Sequence, residues 1–289
     1  MKHIKTGRLV DILNNIEDQL KKCNIHTPRL DAEILVGYYG NRDRSALYRN
    51  GDYRLTDKEL EGLYTGVARR IEGEPIAYIT GIKEFFSLEL EVNHHVLIPR
   101  PETEILVEDV LGLIGNETLR RGNVLEIGTG SGAISIALAT ELTQFQFFAV
   151  DISQEALTIA KRNARKHDVA ERIFFFCGNL FESLSEQFDI IVSNPPYISD
   201  EEFKHISHEI RNYEPREALI AGPDGTEFHQ KLIMNGSNHL RKGGWLVMEM
   251  GYGQWKTVER LLRESQKYDY IGFQCDYAGI ERVAKARRR

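Results

Sequence analysis

Apolar positions recur at helical spacing from the start of the chain to about residue 73. Leu9, Ile12, Leu13, Ile16 and Leu20 fall on one face. Thr27-Pro28 reads as an N-cap and first-turn pair ahead of Leu30, Ile34, Leu35 and Tyr38. Thr56-x-x-Glu59 is a capping box before Leu60, Leu63, Tyr64, Val67 and Ile71, and Gly73 ends that helix. A small helical bundle over residues 1–73 is expected, with a linker from Gly73 to Gly81. Between Phe85 and Ile98 the spacing changes to alternation, with Leu88, Leu90 and Val92 on one face, which predicts a hairpin. Pro99-Arg100-Pro101-Glu102-Thr103-Glu104 breaks it and opens a helix through Ile105, Leu106 and Val110.

From Asn123 onward short β-rich runs alternate with helical ones. Strands are predicted near 123–127, 145–150, 173–177, 188–193, 245–250, 270–275 and 281–286. The last two lie close together and suit an antiparallel pair closing an otherwise mostly parallel sheet. The fold class is therefore α/β: a doubly wound, mostly parallel seven-stranded sheet with an N-terminal helical bundle (1–73), a linker and β-hairpin (74–104) and a large domain (105–289).

Composition narrows this little. The chain is 42% hydrophobic and 28% charged, as ordinary soluble proteins are. No run approaches the ~20 apolar residues of a membrane span, and Met1-Lys2-His3-Ile4-Lys5 leads into no signal-type core. Cys23, Cys177 and Cys275 are far apart and odd in number, which supports neither a disulfide framework nor a zinc ribbon. A reducing cytoplasm is expected. Residues 1–80 hold 13 Lys+Arg against 12 Asp+Glu, whereas the rest hold 24 against 31. So acidic a second part is a poor partner for a nucleic-acid backbone. Arg287-Arg288-Arg289 reads as a frayed, solvated tail.

Candidate chemistry concentrates in two places. Asn194-Pro195-Pro196-Tyr197 follows the apolar run Ile190-Ile191-Val192. A strand halted by two prolines leaves rigid backbone carbonyls at its tip, since proline fixes φ and offers no N–H. Asn194 adds a side-chain amide and Tyr197 a flat ring, a set suited to holding a planar nitrogen group. The plainer reading is a proline-rich turn. Upstream, Val124-Leu125-Glu126-Ile127-Gly128-Thr129-Gly130-Ser131-Gly132 reads as strand, glycine loop and helix start, where backbone approaches a ligand closely. Asp151 closes the second strand nineteen residues past Gly132, the place of a ribose-binding carboxylate in doubly wound folds. Its alternative role is a helix cap, although Ser153 is available for that. His205-x-x-His208-Glu209 has metal-like spacing without a third ligand, and no metal is expected. Arg100 either orders the mouth of the site or pairs with Glu102 or Glu104.

Together the Gly128 loop, Asp151 and Asn194-Pro-Pro-Tyr197 resemble class I methyltransferases that use S-adenosylmethionine and act on planar nitrogens. Narrower blocks resemble the PrmC/HemK family of release factor glutamine methyltransferases over nearly the whole chain. They are Arg29-Leu30-Asp31-Ala32-Glu33, Glu74-Pro75-Ile76-Ala77-Tyr78-Ile79-Thr80-Gly81, Val96-Leu97-Ile98-Pro99-Arg100-Pro101-Glu102-Thr103-Glu104, Tyr213-Glu214-Pro215-Arg216-Glu217-Ala218-Leu219, Glu249-Met250-Gly251 and Asp276-Tyr277-Ala278-Gly279-Ile280-Glu281-Arg282-Val283. Two positions depart from the family pattern: Asn179 in Gly178-Asn179-Leu180-Phe181 replaces an aspartate, and Glu126 stands where aspartate is common.

The resemblance implies methyl transfer to the side-chain amide of the glutamine in the Gly-Gly-Gln motif of class-1 peptide chain release factors, leaving S-adenosylhomocysteine. It implies catalysis by Asn194, Pro195 and Tyr197, and substrate binding by Asn194, Pro195, Pro196 and Tyr197. Cofactor contacts are implied for Glu126, Gly128, Thr129, Gly130, Ser131, Gly132, Asp151, Asn179, Leu180 and Asn194. The helical bundle is expected to recognise the protein substrate. No membrane and no direct nucleic-acid partner are expected. The alternatives are a glutamine methyltransferase of a ribosomal protein, a nucleic-acid adenine methyltransferase, and a non-enzymatic adaptor, which an intact Asn194 and Tyr197 argue against.

Overall fold

The computed structural model describes residues 8–49, 53–116, 119–182 and 184–289. Residues 1–7, where no signal-type core is predicted, lie outside the described residues. The chain divides into two units. One runs to Gly81 and includes His208–Tyr213; the other comprises Ile82–Ser207 and Glu214–Arg289.

The first unit holds helices Leu9–Lys22, Pro28–Tyr39, Arg44–Arg49, Asp57–Ile71 and Ile76–Thr80. The predicted face of Leu9, Ile12, Leu13, Ile16 and Leu20 is buried. Thr56 and Glu59 form the capping box reciprocally: the Thr56 N–H donates to Glu59 Oε2 at 2.6 Å and the Glu59 N–H to Thr56 Oγ1 at 3.3 Å. Thr27 behaves differently from its expected capping role. Its hydroxyl donates to Asp31 Oδ1 at 2.8 Å and makes no cap bond to backbone.

The predicted linker is also corrected. Residues 76–80 form a helix whose Ile79 packs in the bundle core, so the first unit ends at Gly81 rather than residue 73. Helix His208–Tyr213 belongs with the bundle because buried Arg70 bonds both Asp31 (2.6 Å) and Glu209 (2.9 Å). Glu209 is thereby taken up in an ion pair. Pairing a buried guanidinium is obligatory, since an unpaired buried charge costs several kcal/mol.

The second unit opens with a hairpin of β1 (Ile82–Phe85) and β2 (Leu88–Glu91). Its turn is Phe86-Ser87, both at positive φ (50° and 59°). Tight hairpins want that geometry, but glycine or asparagine normally supplies it, so the sequence places the hairpin three residues late.

The main sheet contains β3 (Gly122–Ile127), β4 (Phe145–Asp151), β5 (Ile173–Cys177), β6 (Phe188–Ser193), β7 (Leu240–Glu249), β8 (Tyr268–Cys275) and β9 (Glu281–Arg288). Its order is β5-β4-β3-β6-β7-β9-β8. β5 through β7 are parallel, and β9 and β8 form the antiparallel end. Both faces are buried, as parallel sheets require. Val124 packs with Phe147, Leu106 and Val110 on one side, and its neighbour Leu125 with Ile191, Leu232 and Leu246 on the other.

Two boundaries differ from expectation. β7 begins at Leu240, ahead of the Gly243-Gly244 irregularity that hides its start in the sequence. The terminal arginines are not a tail, because Arg287 and Arg288 pair within β9 and Arg287 bonds Asp269 at 3.1 Å. Strand order reverses between β3 and β6, so the segments leaving their C-terminal ends diverge and open a crevice there.

Candidate functional site

A cavity of about 810 Å³ opens at that switch point, within the roughly 300–1,000 Å³ typical of small-molecule sites. Gly128 and Gly130 line it after β3, Asp151 and Ile152 after β4, Asn179 and Leu180 after β5, and Asn194, Pro195 and Pro196 after β6. All belong to the second unit.

The glycine loop is held from beneath. Buried Glu126 accepts on Oε2 from the Thr129 hydroxyl (2.7 Å), the Ser135 N–H (3.1 Å) and the Ser135 hydroxyl. Burial pushes this carboxyl up to about 7, against those hydrogen bonds. Gly128 and Gly130 take left-handed φ of 75° and 54°, and a Cβ at either would meet nothing within 4 Å. Their bare backbone therefore borders open space where a ligand can approach.

Asp151 organises the facing wall. Its Oδ2 accepts the Gly130 N–H at 2.8 Å and its Oδ1 the Ser153 N–H at 2.9 Å. Its carboxyl is raised, first by burial, against the backbone N–H bonds of Ser153, Gly130 and Ile152, and a carboxylate oxygen can accept more than one hydrogen bond. Ser153 caps the following helix, accepting the Ala156 N–H at 3.1 Å. Ile152, 66% exposed, offers an apolar surface beside that carboxylate.

Asn194 lines the cavity from the end of β6. Its Nδ2 donates to Thr103 Oγ1 at 3.0 Å, while its Oδ1 is shielded and receives no hydrogen bond among the described residues. The Thr103 hydroxyl in turn donates to Glu249 Oε2 at 2.6 Å. Tyr197 directs its hydroxyl at Glu249 Oε1 over 3.4 Å, a long contact. Burial pushes Glu249 up to about 7, offset by the Thr103 and Tyr197 hydroxyls and the Arg282 charge. Burial and the Glu249 charge raise the Tyr197 phenol. Its backbone carbonyl accepts from Gln254 Nε2 at 2.8 Å, which fixes the chain after the two prolines.

The structure thus brings Gly128, Gly130, Asp151, Asn179, Leu180, Asn194, Pro195 and Pro196 to one cavity. Glu126, Thr129, Ser131, Gly132 and Tyr197 do not line it. Arg100 pairs with Glu214 rather than Glu102 or Glu104, and Glu214 also accepts the Ile98 N–H at 3.2 Å. Glu104 instead accepts the Phe86 N–H at 2.9 Å.

Sequence reasoning passed over His94 and His95, exposed residues whose rings lie 3.9 Å apart and which line the cavity. Thr103 and Glu249 stand in the sequence only as members of longer blocks. Neither carries a local signal, because their partners lie 91 and 146 residues away. Among the described residues no group of three His, Cys, Asp or Glu is arranged to hold a metal ion, and no helix is long and apolar enough to cross a membrane.

A family model described as the PrmC N-terminal domain matches residues 11–81, and one described as a methyltransferase small domain matches residues 103–216. A bifunctional methyltransferase of Rickettsia typhi is 42% identical over 264 residues, covering 86% of this chain and 51% of that protein. The chain thus spans about half the length of that relative. A release factor glutamine methyltransferase of Coxiella burnetii is 41% identical over 276 residues, covering 95% of this chain and 96% of that protein. Among solved structures, the hMettl16 catalytic domain superposes with a TM-score of 0.56 at 21% identity, over 80% of this chain and 82% of that one. That likeness shows a shared fold.

Proposed function

Since the chain belongs to the release factor glutamine methyltransferase family, we propose that it transfers a methyl group from S-adenosylmethionine to the glutamine amide in the Gly-Gly-Gln motif of class-1 peptide chain release factors. The observation that carries this reading is the pair of acceptors that Asn194 and Pro195 bring to the cavity lining, the Asn194 Oδ1 having no hydrogen-bond partner among the described residues. A primary amide brings two N–H bonds to such a pair of acceptors.

The cofactor fits the residues present. Asp151 offers lone pairs to ribose hydroxyls, Ile152 an apolar surface to the adenine, and Gly128 and Gly130 bare backbone to the rest. When bound, it supplies an electrophilic methyl on a sulfonium and leaves as a neutral thioether.

An amide nitrogen is a poor nucleophile, so the protein's part is positioning. Asn194 Oδ1 and the Pro195 carbonyl take one N–H each and aim the nitrogen at the methyl carbon. Orientation of this kind contributes up to roughly 10 kcal/mol. Both hydrogen bonds strengthen as the nitrogen gains positive charge, and the surplus proton leaves to water. We assign the N-terminal helical bundle, which adds no residue to the cavity, to holding the release factor outside the reacting loop, in the cytoplasm.

Radiolabelled methyl transfer offered in parallel to a release factor, ribosomal proteins and DNA tests the reading. Label on the Gly-Gly-Gln glutamine is expected. Label on a ribosomal protein or DNA alone sinks it, and undiminished transfer by a chain beginning at Gly81 sinks the role given to the bundle.

Asn179 yields a separate prediction. Its Nδ2 donates to Glu182 Oε1 at 3.0 Å, which leaves Oδ1 to accept the adenine amino N–H. A charged acceptor gains about 1 kcal/mol over a neutral one. In Asn179→Asp the new carboxylate meets Glu182, so the single variant gains little. Asn179→Asp with Glu182→Gln is expected to tighten S-adenosylmethionine binding by up to about tenfold. Calorimetric titration checks this; no tightening in the double variant removes Asn179 from the adenine site.

A further inference from the structure

Asn194 can serve as an acceptor only if its amide faces one way, because a flipped side chain would present N–H to N–H. Proline geometry fixes the backbone but not that rotation, so something else must choose between the two faces.

The choice follows from a count of protons. A threonine hydroxyl has one. Thr103 spends it on Glu249 Oε2 at 2.6 Å, so toward Asn194 its oxygen can only accept. It accepts from Nδ2 at 3.0 Å, and Oδ1 is left facing away from it, without a partner among the described residues. Ionised, the buried Glu249 is acceptor-only, so its Oε2 accepts the Thr103 O–H. The same carboxylate meets the Tyr197 hydroxyl through Oε1.

We propose that Glu249, acting through Thr103, is the positioning group that locks the Asn194 amide with its oxygen toward the substrate. The inference rests on the amide-gripping reaction proposed above. Thr103 and Glu249 touch neither reacting partner; their effect is to make the wrong rotamer costly, since a flipped amide would set its carbonyl against the hydroxyl's lone pairs. Removing Glu249 frees the Thr103 proton to donate to Asn194 Oδ1, which stabilises the unproductive face.

The test combines a double-mutant cycle with a spectroscopic signature. Thr103→Val removes the acceptor at nearly constant volume and is expected to lower kcat at least about tenfold, with KM for the release factor and S-adenosylmethionine affinity within twofold. Thr103→Ser keeps the hydroxyl and should retain wild-type kcat within about twofold. Glu249→Met should cost a similar factor alone but little in the Thr103→Val background, because the carboxylate acts through the hydroxyl. Wild-type kcat in Thr103→Val, or equal Glu249→Met losses in both backgrounds, overturns the proposal.

The Asn194 side-chain amide resonance, assigned by its loss in Asn194→Asp, gives a readout independent of turnover. It should shift in Thr103→Val and Glu249→Met and stay put in Thr103→Ser. No methylation of release factor by the unsubstituted protein would fault the assigned reaction, whereas an amide resonance indifferent to Thr103→Val would fault the lock.

Discussion

Replacing Asn194 with alanine is expected to lower methyl transfer by about a hundredfold or more while leaving S-adenosylmethionine affinity within a few-fold. Removing one preorganised hydrogen-bonding group from a developing charge costs about 10²–10³ in kcat. Asn194 Oδ1 fits that description: it has no partner among the described residues, and the other end of its side chain is already tied to Thr103. Its hydrogen bond strengthens only as the nitrogen becomes cationic, so the loss falls on the transition state rather than the ground state. The alanine variant also leaves the glycine loop and Asp151 untouched. Measuring kcat by labelled transfer and cofactor affinity by calorimetry separates the two effects. Parallel losses in both would mean that Asn194 serves binding in general and not the grip on the amide.

Asp151→Ala is expected to weaken S-adenosylmethionine binding about a hundredfold. Two effects add. The ribose hydroxyls lose charge-assisted hydrogen bonds, each contributing about 1.5–3 kcal/mol. The Gly130 and Ser153 N–H groups lose their acceptor, which loosens the loop whose bare backbone faces the ligand. At 1.4 kcal/mol per factor of ten, a single lost ribose bond already accounts for most of the tenfold-to-hundredfold range. The competing role, a helix cap, is filled by Ser153. If the variant melts at a lower temperature yet binds with unchanged affinity, Asp151 is a structural group only.

The groups at the cavity wall were legible because each carries a local signal. Glycines at loop positions, an acid at a strand end and prolines after an apolar run sit within a few residues of the features that define them. The capping box at Thr56 was legible for the same reason. What escaped was non-local or unmarked. The Phe86-Ser87 turn adopts left-handed φ with residues that do not advertise it. Helix Ile76–Thr80 is too short for periodicity to declare, and the burial of Ile79 decides where it belongs. Arg70 takes its second carboxylate from Glu209, 139 residues away. Glu126 looked like a ligand contact by position, yet all three donors to its Oε2 lie within the loop and helix that follow.

The sheet order has a consequence for when this site exists during folding. Thr103 precedes β3, Asn194 follows β6 and Glu249 ends β7, and the Thr103–Glu249 bond closes a loop of 146 residues. Contacts so distant in sequence form late, since chain entropy must be lost before they reward it. A chain assembled only through β6 already possesses the glycine loop, Asp151 and Asn194. It lacks the carboxylate, and β7 that carries it is flanked by β9 on its far side. The glycine loop and the Asp151 wall can therefore assemble before the amide of Asn194 acquires a fixed face, since the residues after β6 that complete the cavity and the carboxylate on β7 come later in the chain.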